Sequence, residues 1–86
     1  MIEKTFLLEI FTPDRQVFKG AVSYLEAPSL IGNFGVLKNH APMLAILKKG
    51  KIRYEYGKET KELQIEEGFV EVLTDKVRIL VEGCEE

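Results

Sequence analysis

Apolar and polar residues alternate in short runs along most of this chain, and turn residues separate the runs. The clearest run is Lys51 to Tyr56, where Ile52, Tyr54 and Tyr56 point one way and Lys51, Arg53 and Glu55 the other. A strict period of two predicts a half-buried strand. Gly57-Lys58-Glu59-Thr60 predicts a hairpin turn. Lys61 to Glu67 pairs back, with Leu63 and Ile65 inward and Glu62, Gln64 and Glu66 outward. Gly68 breaks the run. Phe69 to Leu73 is a further strand, Thr74-Asp75-Lys76 a tight turn, and Val77 to Val81 a last strand with Val77, Ile79 and Val81 on one face.

The N-terminal half follows the same rule less regularly. Phe6 to Phe11 is a mostly apolar strand stopped at Thr12-Pro13-Asp14, since proline donates no ladder hydrogen bond. Gln16 to Lys19 ends at Gly20, and Ala21 to Ala27 ends at Pro28. Met43 to Lys49 comes nearest to a helical period, but Pro42 precedes it and Gly50 ends it, so it reads as a strand. Ser29 to Pro42 reads as an apolar loop that folds back on the core or meets a partner. About eight to ten short strands predict an all-β fold, a small antiparallel β-sandwich or flattened barrel. The expected core is Phe6, Leu8, Ile10, Val17, Val22, Leu25, Leu37, Leu44, Ile46, Ile52, Leu63, Ile65, Val70, Val72, Ile79 and Val81.

The 86 residues allow one domain, 1–86. Ordering it costs on the order of 100 kcal/mol of conformational entropy, so the strands must share a single core. A hydrophobic content of 45% permits that core, 30% charged residues make a soluble surface, and the composition as a whole argues against disorder. The net charge of −2 argues against a nucleic-acid binder. Lys48, Lys49 and Lys51 form the only basic cluster, either a solvated turn or a phosphate contact. Cys84 is the only cysteine, which excludes an internal disulfide, and it reads as an exposed thiol at a fraying end. The longest apolar runs are too short to span a bilayer, and Met-Ile-Glu-Lys has no signal-peptide character. The expectation is an intracellular protein with no direct membrane insertion that can still reach a membrane through a partner.

Catalytic chemistry finds little to work with. His40 is the only histidine, and no serine or cysteine lies near it in sequence to act as nucleophile. Zinc needs about four ligands at motif spacing. Glu66 and Glu67 point to opposite faces of a strand. Gly32-Asn-Phe-Gly35 matches a KH-type GxxG in form, but neither flanking helices nor basic loop residues accompany it. A carbohydrate-binding sandwich needs exposed aromatics, and the chain has no tryptophan. The expectation is a non-enzymatic interaction module with no catalytic residue, no metal and no cofactor. His40-Ala41-Pro42 joins a polar ring to a rigid turn, and the ring either hydrogen-bonds a backbone carbonyl or serves an interface.

Several stretches occur together in a family order. They are the strand Phe6 to Phe11, the turn Thr12-Pro13 and Val17-Phe18-Lys19-Gly20. Gly32, Gly35, Val36-Leu37 and His40-Ala41-Pro42-Met43-Leu44 follow, then Leu47-Lys48-Lys49-Gly50, Gly68-Phe69-Val70-Glu71-Val72 and Val77 to Val81. In these the chain resembles the N-terminal domain of the epsilon subunit of F-type ATP synthases, the equivalent of mitochondrial delta. Proline is usual in that family where Lys38 stands, which loosens the turn before His40. Glycine is usual where Glu67 stands, where it would permit a bulge. The family usually continues into a C-terminal helical hairpin, which is expected to be absent here.

The resemblance implies a non-catalytic rotor subunit of a proton- or sodium-translocating F-type ATP synthase. Such a subunit couples the gamma subunit to the c-ring at the cytoplasmic face of the bacterial plasma membrane. It implies a gamma-facing surface at Thr12, His40, Met43, Leu44 and Ala45, with His40 in an interface hydrogen bond. It implies a c-ring contact at Gly32, Asn33 and Phe34, where many relatives are acidic at the position of Asn33. The alternative is a free-standing β-sandwich adaptor, unrelated to ATP synthase, that binds another protein through the same loop.

Overall fold

A computed structural model of the chain describes residues 4–85. The N-terminal Met-Ile-Glu, read above as free of signal-peptide character, and the final glutamate lie outside the described residues. Ten strands follow one another: β1 (Phe6–Thr12), β2 (Arg15–Val22), β3 (Tyr24–Ser29), β4 (Gly32–Val36), β5 (Met43–Leu47), β6 (Gly50–Tyr56), β7 (Glu59–Ile65), β8 (Gly68–Val72), β9 (Lys76–Val81) and β10 (Cys84–Glu85). They form one curled sheet in the order β10-β7-β6-β3-β5-β8-β9-β1-β2, with β4 on the free side of β3. The small all-β sandwich expected from the alternation is present. Every pairing is antiparallel except β1 with β9, which run parallel.

The curl brings β2, one end of the sheet, against β6. The Phe18 ring of β2 packs on Tyr54 and Tyr56 of β6, with ring centroids 4.7 and 5.2 Å apart. Gly20 sits beneath these rings, and a Cβ there would come within 2.9 Å of Phe18 and 3.0 Å of Tyr56. Gly20 therefore lies inside β2 rather than ending it. The break expected at Gly20 falls at Ser23, whose N–H donates to Glu55 O at 3.0 Å. β3 also runs through Pro28 to Ser29.

The inner surface buries Leu8, Ile10, Val22, Leu25, Ile52, Ile65, Val70 and Ile79 among others. Four residues expected inside are not fully buried. Val17 is half-buried because β2 carries a bulge there: Ile10 pairs with Phe18 but Phe11 with Gln16. Leu37 is 62% exposed in the loop after β4, and Leu44 and Ile46 are 71% and 59% exposed on β5. The register of β5 decides this. Leu47 pairs with Ser29 and Gly68 and points inward, so Met43 and Ala45 share its parity and Leu44 and Ile46 face out. Leu47, Val36, Ala27, Tyr54 and Val77 complete the core instead.

Two further expectations change. Part of the predicted loop from Ser29 to Pro42 is strand β4, paired from Leu25↔Val36 to Ser29↔Gly32. Cys84 is half-buried against the core, where β10 pairs Cys84 with Ile65 and Glu85 with Gln64. The chain end is thus tied to β7 and does not fray at that point.

Candidate functional site

Strand β5 borders two apolar surfaces that adjoin at Ile46. On its outer face, Ile46 starts a row that crosses the sheet through Phe69 of β8, Leu80 of β9 and Phe11 of β1. Ile46, Phe69 and Leu80 are 59%, 45% and 38% exposed. Beside this row runs a second one, Leu44, Glu71, Arg78, Glu9 and Lys19. There Arg78 Nε donates to Glu9 Oε1 at 3.1 Å, and Glu9 is nearly buried. An apolar row bordered by a charged row on a stiff sheet is the composition of a protein contact surface. Its signal was in the sequence: Phe69 and Leu80 are large apolar residues on the solvent parity of adjacent strands.

On its other face, β5 turns Met43 and Ala45 toward the β3–β4 hairpin. They line a groove of about 350 Å³ together with Leu30, Ile31, Phe34 and Ile46. Gly32 and Asn33 lie on the same wall. The turn of the hairpin is Leu30-Ile31. The buried Ser29 hydroxyl accepts from Ile31 N–H at 3.3 Å and donates to Gly32 O at 2.6 Å, which holds the turn closed. Leu30 and Ile31 nevertheless stay outside, 65% and 99% exposed, whereas Phe34 packs against the core.

The residues expected to face gamma therefore occupy three places. Leu44 stands on the outer face, and Thr12 borders a shallow depression of that face with Phe11, Phe69 and Leu80. Met43 and Ala45 share the groove with Gly32, Asn33 and Phe34, so part of the expected gamma set joins the expected c-ring set. His40 lies in a separate depression with Tyr24, Gly35 and Lys38.

His40 makes a local contact. Its Nδ1 lies 2.7 Å from Ala41 O. A carbonyl only accepts, so this contact puts the proton on Nδ1, and in the neutral ring Nε2 is left as an acceptor. The turn before it, where Lys38 stands, is closed by hydrogen bonds. His40 N–H donates to Leu37 O at 3.1 Å, with Asn39 in the left-handed region at φ 69°. Lys38 Nζ ties this turn to Thr5 O at 3.2 Å and to Asp75 at 3.3 Å. At Thr12, the hydroxyl donates to Asp14 Oδ1 at 2.7 Å and holds that exposed carboxyl below its usual range. Among the described residues, no group of three or more potential metal ligands comes together.

The fold and its two apolar surfaces define a small β-sandwich interaction module. The chain belongs to the family described as ATP synthase, Delta/Epsilon chain, beta-sandwich domain, whose model matches residues 5–86. It is 38% identical over 86 residues to an ATP synthase epsilon chain of Syntrophomonas wolfei, spanning 99% of this chain and 63% of that protein. To an ATP synthase epsilon chain of Chlorobium limicola it is 43% identical over 81 residues, spanning 93% of this chain and 92% of that protein. Several other relatives are longer still, and the chain spans less than two thirds of them. Its fold matches a chain of the Euglena gracilis mitochondrial ATP synthase solved with its c-ring, with a TM-score of 0.91 at 24% identity over 99% of this chain and 55% of the other. It also matches a chain of the Tetrahymena thermophila mitochondrial ATP synthase central stalk and c-ring, with a TM-score of 0.81 at 17% identity over all of this chain and 69% of the other.

Proposed function

We propose that this β-sandwich is a non-catalytic central-stalk element of a proton- or sodium-translocating F-type ATP synthase. In this reading it joins the gamma subunit to the c-ring at the cytoplasmic face of a bacterial plasma membrane. The observation that carries the reading is strand β5, where an outer apolar row beginning at Ile46 adjoins a hairpin groove lined by Met43 and Ala45, with Ile46 bordering both. Gamma would cover the outer face through Leu44, with Thr12 at one corner and the free Nε2 of His40 as a hydrogen-bond acceptor beyond the strand end. The c-ring would meet the hairpin at Gly32, Asn33 and Phe34. Met43 and Ala45 lie where the two contacts adjoin. Support comes from family membership and from the names of the relatives.

The mechanics follow from packing. Torque passing between two partners would load a single curled sheet whose interior is dense and resists deformation. The element transmits rotation without storing much of it. Asn33 offers the ring hydrogen bonds rather than a charge, so this contact would depend little on salt.

Two experiments test the assignment. His40→Ala combined with Leu44→Asp places a charge in an apolar contact and should weaken gamma binding by about 100-fold, roughly 3 kcal/mol. Both positions lie outside the core, so the circular dichroism spectrum should not change. Unaltered gamma affinity in the folded double variant would remove the outer-face assignment. A cysteine introduced by Asn33→Cys should cross-link to subunit c in the assembled complex. Capture of the catalytic head alone would contradict the ring contact.

A further inference from the structure

Strand β4 is an open edge: β3 pairs with it on one side, and among the described residues no strand pairs with it on the other. The backbone groups that face the open side follow from β3. Pro28 O accepts from Lys48 N–H at 3.0 Å, on the side of β3 away from β4. In an antiparallel ladder, two opposed residues either both turn their N–H and C=O toward each other or both turn them away. Pro28 opposes Asn33, so Asn33 points its N–H and C=O outward, and by alternation Gly35 does the same. Both residues are exposed, and among the described residues no other backbone bond reaches them. Each is an obligatory donor and acceptor left to the solvent.

Natural edges are commonly blocked by charge. The β7 edge, where β10 covers only Gln64 and Ile65, carries Glu59, Lys61 and Glu62. The β4 edge has no such block, since no charged residue occurs from Pro28 to Leu37. It is also self-complementary. An antiparallel copy in register about Phe34 sets Asn33 against Gly35 of the second copy, and Gly35 against its Asn33. Those two pairs use every outward donor and acceptor, with Phe34 opposite Phe34 at the closely spaced position between them. The same register carries Ile31, 99% exposed, opposite Leu37 of the other copy, 62% exposed. An unrelated strand would fill the edge but would not account for this match of two exposed aliphatic residues about Phe34.

We propose that the unassembled chain pairs with a second copy of itself through β4, joining the two sheets across a twofold axis at Phe34. The edge is five residues long, so the pair is weak and depends on concentration. The inference goes beyond the proposed ring contact and does not rest on it. Asn33 and Phe34 serve both, so self-pairing and the ring contact exclude each other.

The test is sedimentation of the whole chain from micromolar to millimolar concentration, with amide hydrogen exchange followed at both ends of that range. The mass should rise from one copy to two. The Asn33 and Gly35 amides should gain protection with it, while that of Phe34, which faces β3, should not change. Asn33→Pro deletes an outward N–H without touching the β3 ladder, which an edge strand allows. It should weaken pairing about 30-fold, because two hydrogen bonds are lost per dimer. Ile31→Ser should weaken it several-fold, and Leu44→Asp on the outer face should leave it unchanged. Should Asn33→Pro fail to fold, the exchange pattern of the unaltered chain decides. A single copy at every concentration, growth past two copies, or a dimer whose Asn33 and Gly35 amides stay unprotected would overturn the proposal. So would a dimer that survives in folded Asn33→Pro or is lost in Leu44→Asp. A single copy with an intact Asn33→Cys cross-link to subunit c removes self-pairing and leaves the ring contact standing. A dimer without that cross-link removes only the ring contact.

Discussion

The β3–β4 and β6–β7 hairpins are built alike and finished differently. Each has a two-residue turn, closed at Ser29↔Gly32 in one and Tyr56↔Glu59 in the other. They are joined through β3, where Leu25 pairs with Val36 on one side and Tyr54 on the other. The β6–β7 tip is Gly57-Lys58, and its outer face is a ladder of charged residues that includes the Lys51–Glu62 pair. The β3–β4 tip is Leu30-Ile31, exposed, with its glycine displaced to Gly32 at φ 126°. The fold is satisfied by either finish. Aliphatic residues held outside by one hairpin, where its twin shows charge, are explained by what they meet rather than by what they stabilise.

The largest expected effect strikes Leu25, which pairs with β4 on one side and with β6 on the other. Leu25→Ala, at a fully buried position, should cost about 2–5 kcal/mol in urea unfolding and lower hydrogen-exchange protection in β4 and β6 together. Loss confined to one hairpin would show that β3 is not their common support. Next come the glycines. Gly57 sits at φ 65°, which asparagine tolerates, whereas Gly32 at φ 126° does not suit any side chain. Gly32→Ala should therefore cost about 1–3 kcal/mol and Gly57→Asn only a few tenths. Equal losses would remove the distinction between the turns. Ser29→Ala forfeits both hydroxyl contacts and should cost about 1 kcal/mol, while Ile31→Ser two residues on should stay within about 0.5 kcal/mol. The smallest effect belongs to the charged hairpin. Glu62→Gln breaks an exposed pair and should lower stability by less than about 1 kcal/mol, a difference that fades in high salt.

Residues of the regular hairpin were legible from sequence because a short turn sets register locally. Once Gly57-Lys58 closes, the alternation of Ile52, Tyr54, Leu63 and Ile65 has one inward solution. Strand β5 was not legible in this way. Leu44 and Ile46 are larger than Ala45, so size alone puts them inside. Their parity is set instead by Leu47 pairing with Ser29 and Gly68, residues distant in sequence. Strand β4 was hidden because Gly32 and Gly35 read as loop, although Phe34 and Val36 keep the period of two. The residue types of the candidate surfaces were visible, but their grouping was not. Met43 and Ala45 joined Phe34 across the groove, while Leu44, their neighbour in sequence, went to the opposite face with Phe69 and Leu80.

By itself, the sequence determined the all-β class, most strand positions, the family and the single small core, since all of these depend on local alternation and turn chemistry. Only the tertiary structure decided the parallel pairing of β1 with β9, the aromatic closure of β2 on β6, and which apolar residues remain outside. Those outcomes depend on register between strands far apart in the chain. A shift of one residue there exchanges the inner face for the outer, and nothing local to either strand records the choice.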